Sequence, residues 1–176
     1  MRTALDCLRR LHEHRLWLRA RFEKAIRPLS DAELRRAFPM GPGSVLGVLA
    51  HCWGAENIWL DSISGSAAPS TLPSADAFPS LDALLGRWKE TDDRWARFFA
   101  TVTEAELDRP VVRVRDGKSY TTTLADVLIH VCTHQMYHAA QLNNMLRQLG
   151  DANTAAAFVP SDFIIFGRET WRGPNP

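Results

Sequence analysis

TLADVLIHVCTHQMYHAAQLNNMLRQLG, residues 123–150, carries its own start and stop signals. Thr123 is a good N-cap, and Gly150 stands where a C′ glycine belongs. Between them Leu124, Val127, Leu128, Ile129 and Val131 make a first half that is apolar almost all round, as in a central, buried helix. Residues four apart on a helix share a face. His130, His134 and His138 therefore form a stripe of three rings, half of the chain's 6 histidines. Chance supplies only about 0.007 HxxxHxxxH triples at this composition, so the spacing asks for a cause.

Three more long amphipathic helices can be read outward from this one. The first runs from about Thr3 to Arg27, with Leu8, Leu11, Leu18, Phe22, Ala25 and Leu29 in a heptad-like spacing that Arg15 interrupts. Pro28 ends it, and Ser30 to Glu33 is a capping box for a short helix. After the GPG break at 41–43, Ser44 caps a second long helix, Val45 to about Ile63. Ser80 caps a third, about Leu81 to Val102. Leu84, Leu85, Trp88, Trp95, Phe98 and Phe99 mark its buried side. A second capping box spans Thr103 to Glu106. The Ser, Ala and Pro-rich run SGSAAPSTLPSADAFPS, residues 64–80, has no period and reads as a surface crossover. VVRVRDGKSYTTT, residues 111–123, alternates around Asp116-Gly117 as a hairpin does. One more short helix is expected from Ser161.

The expected fold is therefore all-α: a single domain over 1–176, a four-helix bundle with a long crossover connection, short extra helices and a small hairpin-like loop. The crossover argues against simple up-down-up-down order.

The 21 basic and 20 acidic residues are interspersed and leave a net charge of +1. That gives no footprint for nucleic acid or an anionic membrane, and no apolar run approaches the roughly 20 residues of a bilayer span. The N-terminus is Arg-rich, but Asp6, Glu13 and Glu23 argue against a transit peptide, and the stretch reads as mature structure. Cys7, Cys52 and Cys132 are odd in number and far apart. They read as reduced, buried thiols of a cytoplasmic protein.

Imidazoles in a dry core need partners or a metal. His134 and His138, one turn apart, can grip one ion. His130 lies about 12 Å along the axis from His138, too far for all three rings to share it. A third ligand should come from another helix, and His51, within LGVLAHCWGAENIWL, is the candidate. Three neutral imidazoles leave an ion's charge uncancelled and part of its sphere open, as in catalytic sites. His130 reads either as a supporting partner or as a packed core residue. Gln141 could donate a hydrogen bond into the site. Glu56, about 140° round the helix from His51, either orients a ligand from behind or makes a salt bridge. His12 and His14, among the charges of HEHR, read as solvated. Tyr137 and Cys132 lie off the stripe and read as structural, and Trp53, Trp59, Trp88 and Trp95 as core or interface.

LAHCWGAENIWL at 49–60 followed by HVCTHQMYHAAQLNNMLRQLG at 130–150 resembles the DinB-like metal-binding superfamily, the damage-inducible proteins. The likeness extends to LSDAEL at 29–34, ELDRPV at 106–111 and PSDFI at 160–164. It implies a four-helix bundle of unusual connectivity, often a homodimer, holding a divalent metal through His51, His134 and His138. It also implies metal-dependent chemistry such as transfer of a low-molecular-weight thiol, thiol-dependent isomerisation or hydrolase-like reactions. One departure is Ala139, where the family often has Arg; the three ligand positions are untouched.

The leading expectation is a metal-dependent enzyme in which zinc or nickel, or else iron, activates a small thiol or water. The small-molecule substrate is then a low-molecular-weight thiol or an electrophile. The alternative is a metal-binding stress-response or binding module without turnover. A third reading keeps the histidines as core residues of a metal-free bundle.

Overall fold

The computed structural model describes residues 2–150 and 158–170. Its elements are α1 (Ala4–Ile26), α2 (Asp31–Arg35), α3 (Val45–Ile63), α4 (Leu81–Thr101), β1 (Pro110–Arg115), β2 (Lys118–Thr123), α5 (Leu124–Leu149) and α6 (Phe163–Glu169). The caps read from the sequence at Ser30, Ser44, Ser80 and Thr123 are in place, and the structure adds one at Thr3. Thr3, Ser30 and Thr123 each close a reciprocal capping box, and Ser44 and Ser80 accept from the backbone N–H three residues on. These bonds satisfy N–H groups that the first turn of a helix leaves orphaned. The box at Thr103 opens only a turn of 3-10 helix, Glu104–Glu106. Two expectations at helix ends need correction. Gly150 is extended, with φ −69°, so the chain leaves α5 without a left-handed turn. The last helix starts at Phe163 after Asp162, two residues later than Ser161 would place it.

Pairing between helices fixes the topology. His51 meets His138 while Trp59 meets His130, so α3 and α5 are antiparallel. On α1, Arg9 reaches the Phe99 carbonyl and Arg19 pairs with Asp92, and just past its end Arg27 pairs with Asp82, so α4 is antiparallel to α1. Leu5 and Leu8 share a cluster with Leu124 and Val127, and Phe22 and Ile26 share one with Leu142 and Leu146, so α1 and α5 run the same way. Helices α3 and α4 are therefore parallel. The crossover 64–80 must return the full length of the 19-residue α3, roughly 28 Å. It packs closely on that helix: a Cβ at Gly54 would collide with the Pro73 ring. The β1–β2 hairpin turns at Asp116 and Gly117, both at positive φ, with Val111 opposite Thr122 and Arg113 opposite Tyr120.

The apolar interior is two clusters. One holds Leu18, Phe22, Ile26, Leu46, Leu49, Trp88, Leu142 and Leu146; the other holds Leu5, Leu8, Leu60, Ile63, Trp95, Leu124, Leu128 and Val131. Each fully buried side chain of this size contributes about 1.5–3 kcal/mol. A polar belt crosses the bundle between the clusters. There Arg15, the break in the α1 pattern, is only 2% exposed and forms an ion pair with Glu56 of α3, itself 3% exposed. Thr91 of α4 is buried in the same belt and bonds Asn57 of α3. Arg15 also contacts His12 Nδ1 at 3.1 Å.

Two histidines contradict the expectation that they are solvated. His12 is 9% and His14 3% exposed. His12 packs on Phe99 and Trp95 of α4, and His14 is bonded to the Ser161 carbonyl and covered by Phe163 and Phe166 of α6. Their neighbours in sequence are charged, but α4 and α6 cover them. Cys7 is exposed, against the expectation of a buried thiol, whereas Cys52 and Cys132 are buried.

Removing one partner of a buried ion pair leaves an uncompensated charge. Glu56→Gln is expected to destabilise the fold by about 3–5 kcal/mol, and the double variant Arg15→Met/Glu56→Met to recover most of that loss. Urea unfolding of the three proteins checks both.

Candidate metal centre

The belt is where three histidine rings converge. His51 comes from the middle of α3 and His134 and His138 from the middle of α5, because the two apolar clusters set these antiparallel helices in register. His134 Nε2 lies 3.2 Å from His51 Nε2 and 3.1 Å from His138 Nε2. The ligand atoms of all three lie within 4.8 Å of one another, and the group could hold a metal ion. Two imidazole nitrogens of a tetrahedral set at about 2.0–2.1 Å from one ion sit roughly 3.3 Å apart. The observed separations are close to that value.

Protein hydrogen bonds alone do not satisfy the cluster. His138 Nδ1 is 2.8 Å from Gln141 Oε1. It donates to that acceptor, which leaves His138 Nε2 as a lone pair facing the centre. His134 Nε2 carries one proton or one lone pair, so it cannot make conventional bonds to both neighbours. One cation at the centre would engage all three nitrogens. Gln141 is itself held by the loop before α3. Gly41 there has φ +49°, and a Cβ on it would run into the Gln141 amide.

All three rings are biased toward neutral imidazole, the form that can ligate. Burial lowers the pKa of His51, helped by the proximity of His138. Burial, then His138, His51 and His130, push His134 down to about 3. Burial also lowers His138, partly offset by the Gln141 hydrogen bond.

The other residues singled out from the sequence fall differently. Each step of four along α5 rotates the stripe by about 40°, so it walks outward: His138 is buried, His134 half-buried and His130 exposed. His130 is therefore not a core residue. It stands on the exposed side of the cluster, 5.5 Å from the His134 ring and edge-on to Trp59 at 5.3 Å. Glu56 faces Arg15 in the belt, as the salt-bridge reading had it. Gln141 accepts where the sequence reading made it a donor. Tyr137 is not core either: it is 65% exposed, with its ring edge-on to His138 at 5.1 Å. Ala139 is buried among apolar side chains. Trp88 and Trp95 are core, while Trp53 and Trp59 are half-buried. Cys52 and Cys132 are poor nucleophiles here: burial raises Cys52 well above its usual range and Cys132 to about 11. Tyr137 and Gly41 were missed as parts of the site; the adjacency of Tyr137 to His138 and the GPG run were the only local signals.

Fold and site together define a class: an α-helical bundle with an internal three-histidine group from two antiparallel helices. The chain belongs to the DinB superfamily, whose family model matches residues 16–142 and so spans all three histidines. It is also similar to Protein DinB of Bacillus subtilis (strain 168), 22% identical over 169 residues that cover 89% of this chain and 91% of that protein. No helix among the described residues is long and apolar enough to cross a membrane.

Neutral burial has a sign in pH. The unfolded chain takes up protons near pH 6.5, which native His134 refuses until about 3, so this ring's contribution is intact above 6.5 and lost as pH falls. In chelator-treated protein, His134→Gln is expected to flatten the dependence of unfolding free energy on pH between about 6 and 5. The ceiling is about 1.4 kcal/mol per pH unit for one group, reduced by solvent screening. Urea titrations at several pH values measure it.

Proposed function

We propose that the protein is a divalent-metal-dependent enzyme, with His51, His134 and His138 as the metal ligands and zinc or nickel as the preferred ion. The observation that carries this reading is the three-way approach of Nε2 atoms that hydrogen bonding within the protein cannot satisfy. Iron also suits an all-imidazole set. When bound, the ion supplies a Lewis acid that lowers the pKa of a coordinated thiol or water.

The rest of the work falls to the chain. Gln141 holds the His138 tautomer and ring orientation, the supporting role that a residue behind a ligand plays in metal sites. His130, Trp59 and Tyr137 frame the exposed side, through which a small molecule can reach the belt. Glu56 is engaged by Arg15, and both nearby cysteines are buried thiols, so none of them serves as general base or nucleophile. The nucleophile is then a small molecule that enters from solvent. A low-molecular-weight thiol transferred to an electrophile, or water in a hydrolase-like reaction, fits that division of labour.

A second reading is a metal-binding module without turnover. It is favoured by the position of the histidines, where an ion would tie α3 to α5 and stabilise the fold as any native-state ligand does. Metal quantitation on untagged protein tests the shared premise: close to one ion per chain in wild type, and a large loss in His51→Ala and in His134→Ala. Chelation then separates the two readings. Loss of thiol transfer with the bundle intact supports the enzyme. A fall in Tm, with no turnover of any thiol and electrophile pair before chelation, supports the module.

A further inference from the structure

Arg113 is a cation without a counterpart. On β1, Val111 is buried and Val112 and Val114 are exposed, so Arg113 shares the inward face of the strand. Its guanidinium lies over the Trp59 ring, 5.3 Å from the centroid. Trp59 in turn meets His130, and His130 meets His134, so neighbouring rings lead from the guanidinium to the metal centre. Three other half-buried arginines of the bundle are neutralised, Arg19 by Asp92, Arg35 by Asp31 and Arg94 by Asp61, and Arg109, which has no acid partner among the described residues, donates to the Ile63 carbonyl. Among the described residues Arg113 forms no salt bridge, and its Nε is buried without a hydrogen-bond partner. Asp116, the nearest acid in the hairpin, is engaged by Arg115. Burial, then the charge of Arg115, press against the Arg113 cation, and Asp116 offsets only part of that, so its pKa stays below the usual arginine range.

There is room beside it. A groove of about 810 Å³ runs between the hairpin and the start of the crossover, lined by Arg113 and Asp116 from the hairpin and by Ser62, Ser66 and Ser70 opposite. A desolvated guanidinium with free donors is matched by the paired oxygens of a carboxylate or phosphate.

We infer that Arg113 binds an anionic oxygen group, carboxylate or phosphate, on the small molecule whose other end reaches the three histidines. The hairpin thereby supplies a specificity-determining residue. The far end of that ligand rests on the metal-site reading; the anion site does not.

Two measurements separate these dependences. In metal-free protein, hexanoate and inorganic phosphate are titrated while the ¹H–¹⁵N signal of Arg113 Nε–H is followed, with hexanol as the neutral control. A saturable shift with either anion and none with hexanol is expected. No shift with either anion overturns the anion site. In cobalt-loaded protein, whose absorption reports thiolate binding, mercaptohexanoate and mercaptooctanoate are compared with their mercaptoalcohols. The better carboxylate should bind at least about tenfold more tightly than its alcohol, and Arg113→Gln should bring the ratio near one while alcohol binding persists. Equal binding of acid and alcohol in wild type overturns the inference. So does an equal loss of both ligands in Arg113→Gln, which would make the residue a structural support for Trp59. Failure of the protein to take up cobalt sinks the metal-site reading, and the Nε–H titration then decides the fate of Arg113 alone.

Discussion

The antiparallel register of α3 on α5 is the constraint from which the rest follows. It is set by apolar packing at both ends, not by polar groups between. Leu46 and Leu49 meet Leu142 and Leu146 at one end, and Leu60 and Ile63 meet Leu124, Leu128 and Val131 at the other. With both ends fixed, the middle turns have one alignment, and His51 is opposite His134 and His138 in it. A slip of one helical turn along either helix would move a ring about 5–6 Å and break up the group.

The belt between the clusters is costly to bury, and the structure offsets that cost by pairing and neutrality. Arg15 and Glu56 compensate each other's charge. Such a pair is weak evidence for net stability, yet either half alone is strongly destabilising, so both positions are tied together. The histidines are handled differently: they are kept uncharged, which removes most of the desolvation penalty and leaves three lone-pair nitrogens. An apolar belt would be more stable. The polar one, with His130, Trp59 and Tyr137 on its outer side, is what a binding function would require.

Much of this was legible in the sequence, because the signals were local. Caps at Ser30, Ser44, Ser80 and Thr123 set helix starts within a residue or so. The lack of period over 64–80 predicted a connection that the parallel pairing of α3 and α4 requires. The HxxxHxxxH spacing, with His51 in an apolar helix, named the three rings that meet. What could not be read depends on partners remote in sequence. His12 and His14 sit among charges in the chain, and only α4 and α6, some 80 to 150 residues away, bury them. Arg15 looked like a break in a heptad because its partner, Glu56, lies on another helix. The two readings of His130 could not be separated, because the slow rotation of an i, i+4 stripe turns one ring into solvent while another stays inside. Arg113 was simply one alternating residue of a hairpin until its lack of a counterion could be seen.

The most direct measurement is X-ray absorption at the metal edge of zinc-loaded protein, beside the same spectrum for His51→Ala. Three imidazole nitrogens at about 2.0–2.1 Å, with one of them lost in the variant, is the predicted result. A first shell with one imidazole or none, or a shell unaltered by loss of the α3 histidine, would contradict a centre shared between the two helices.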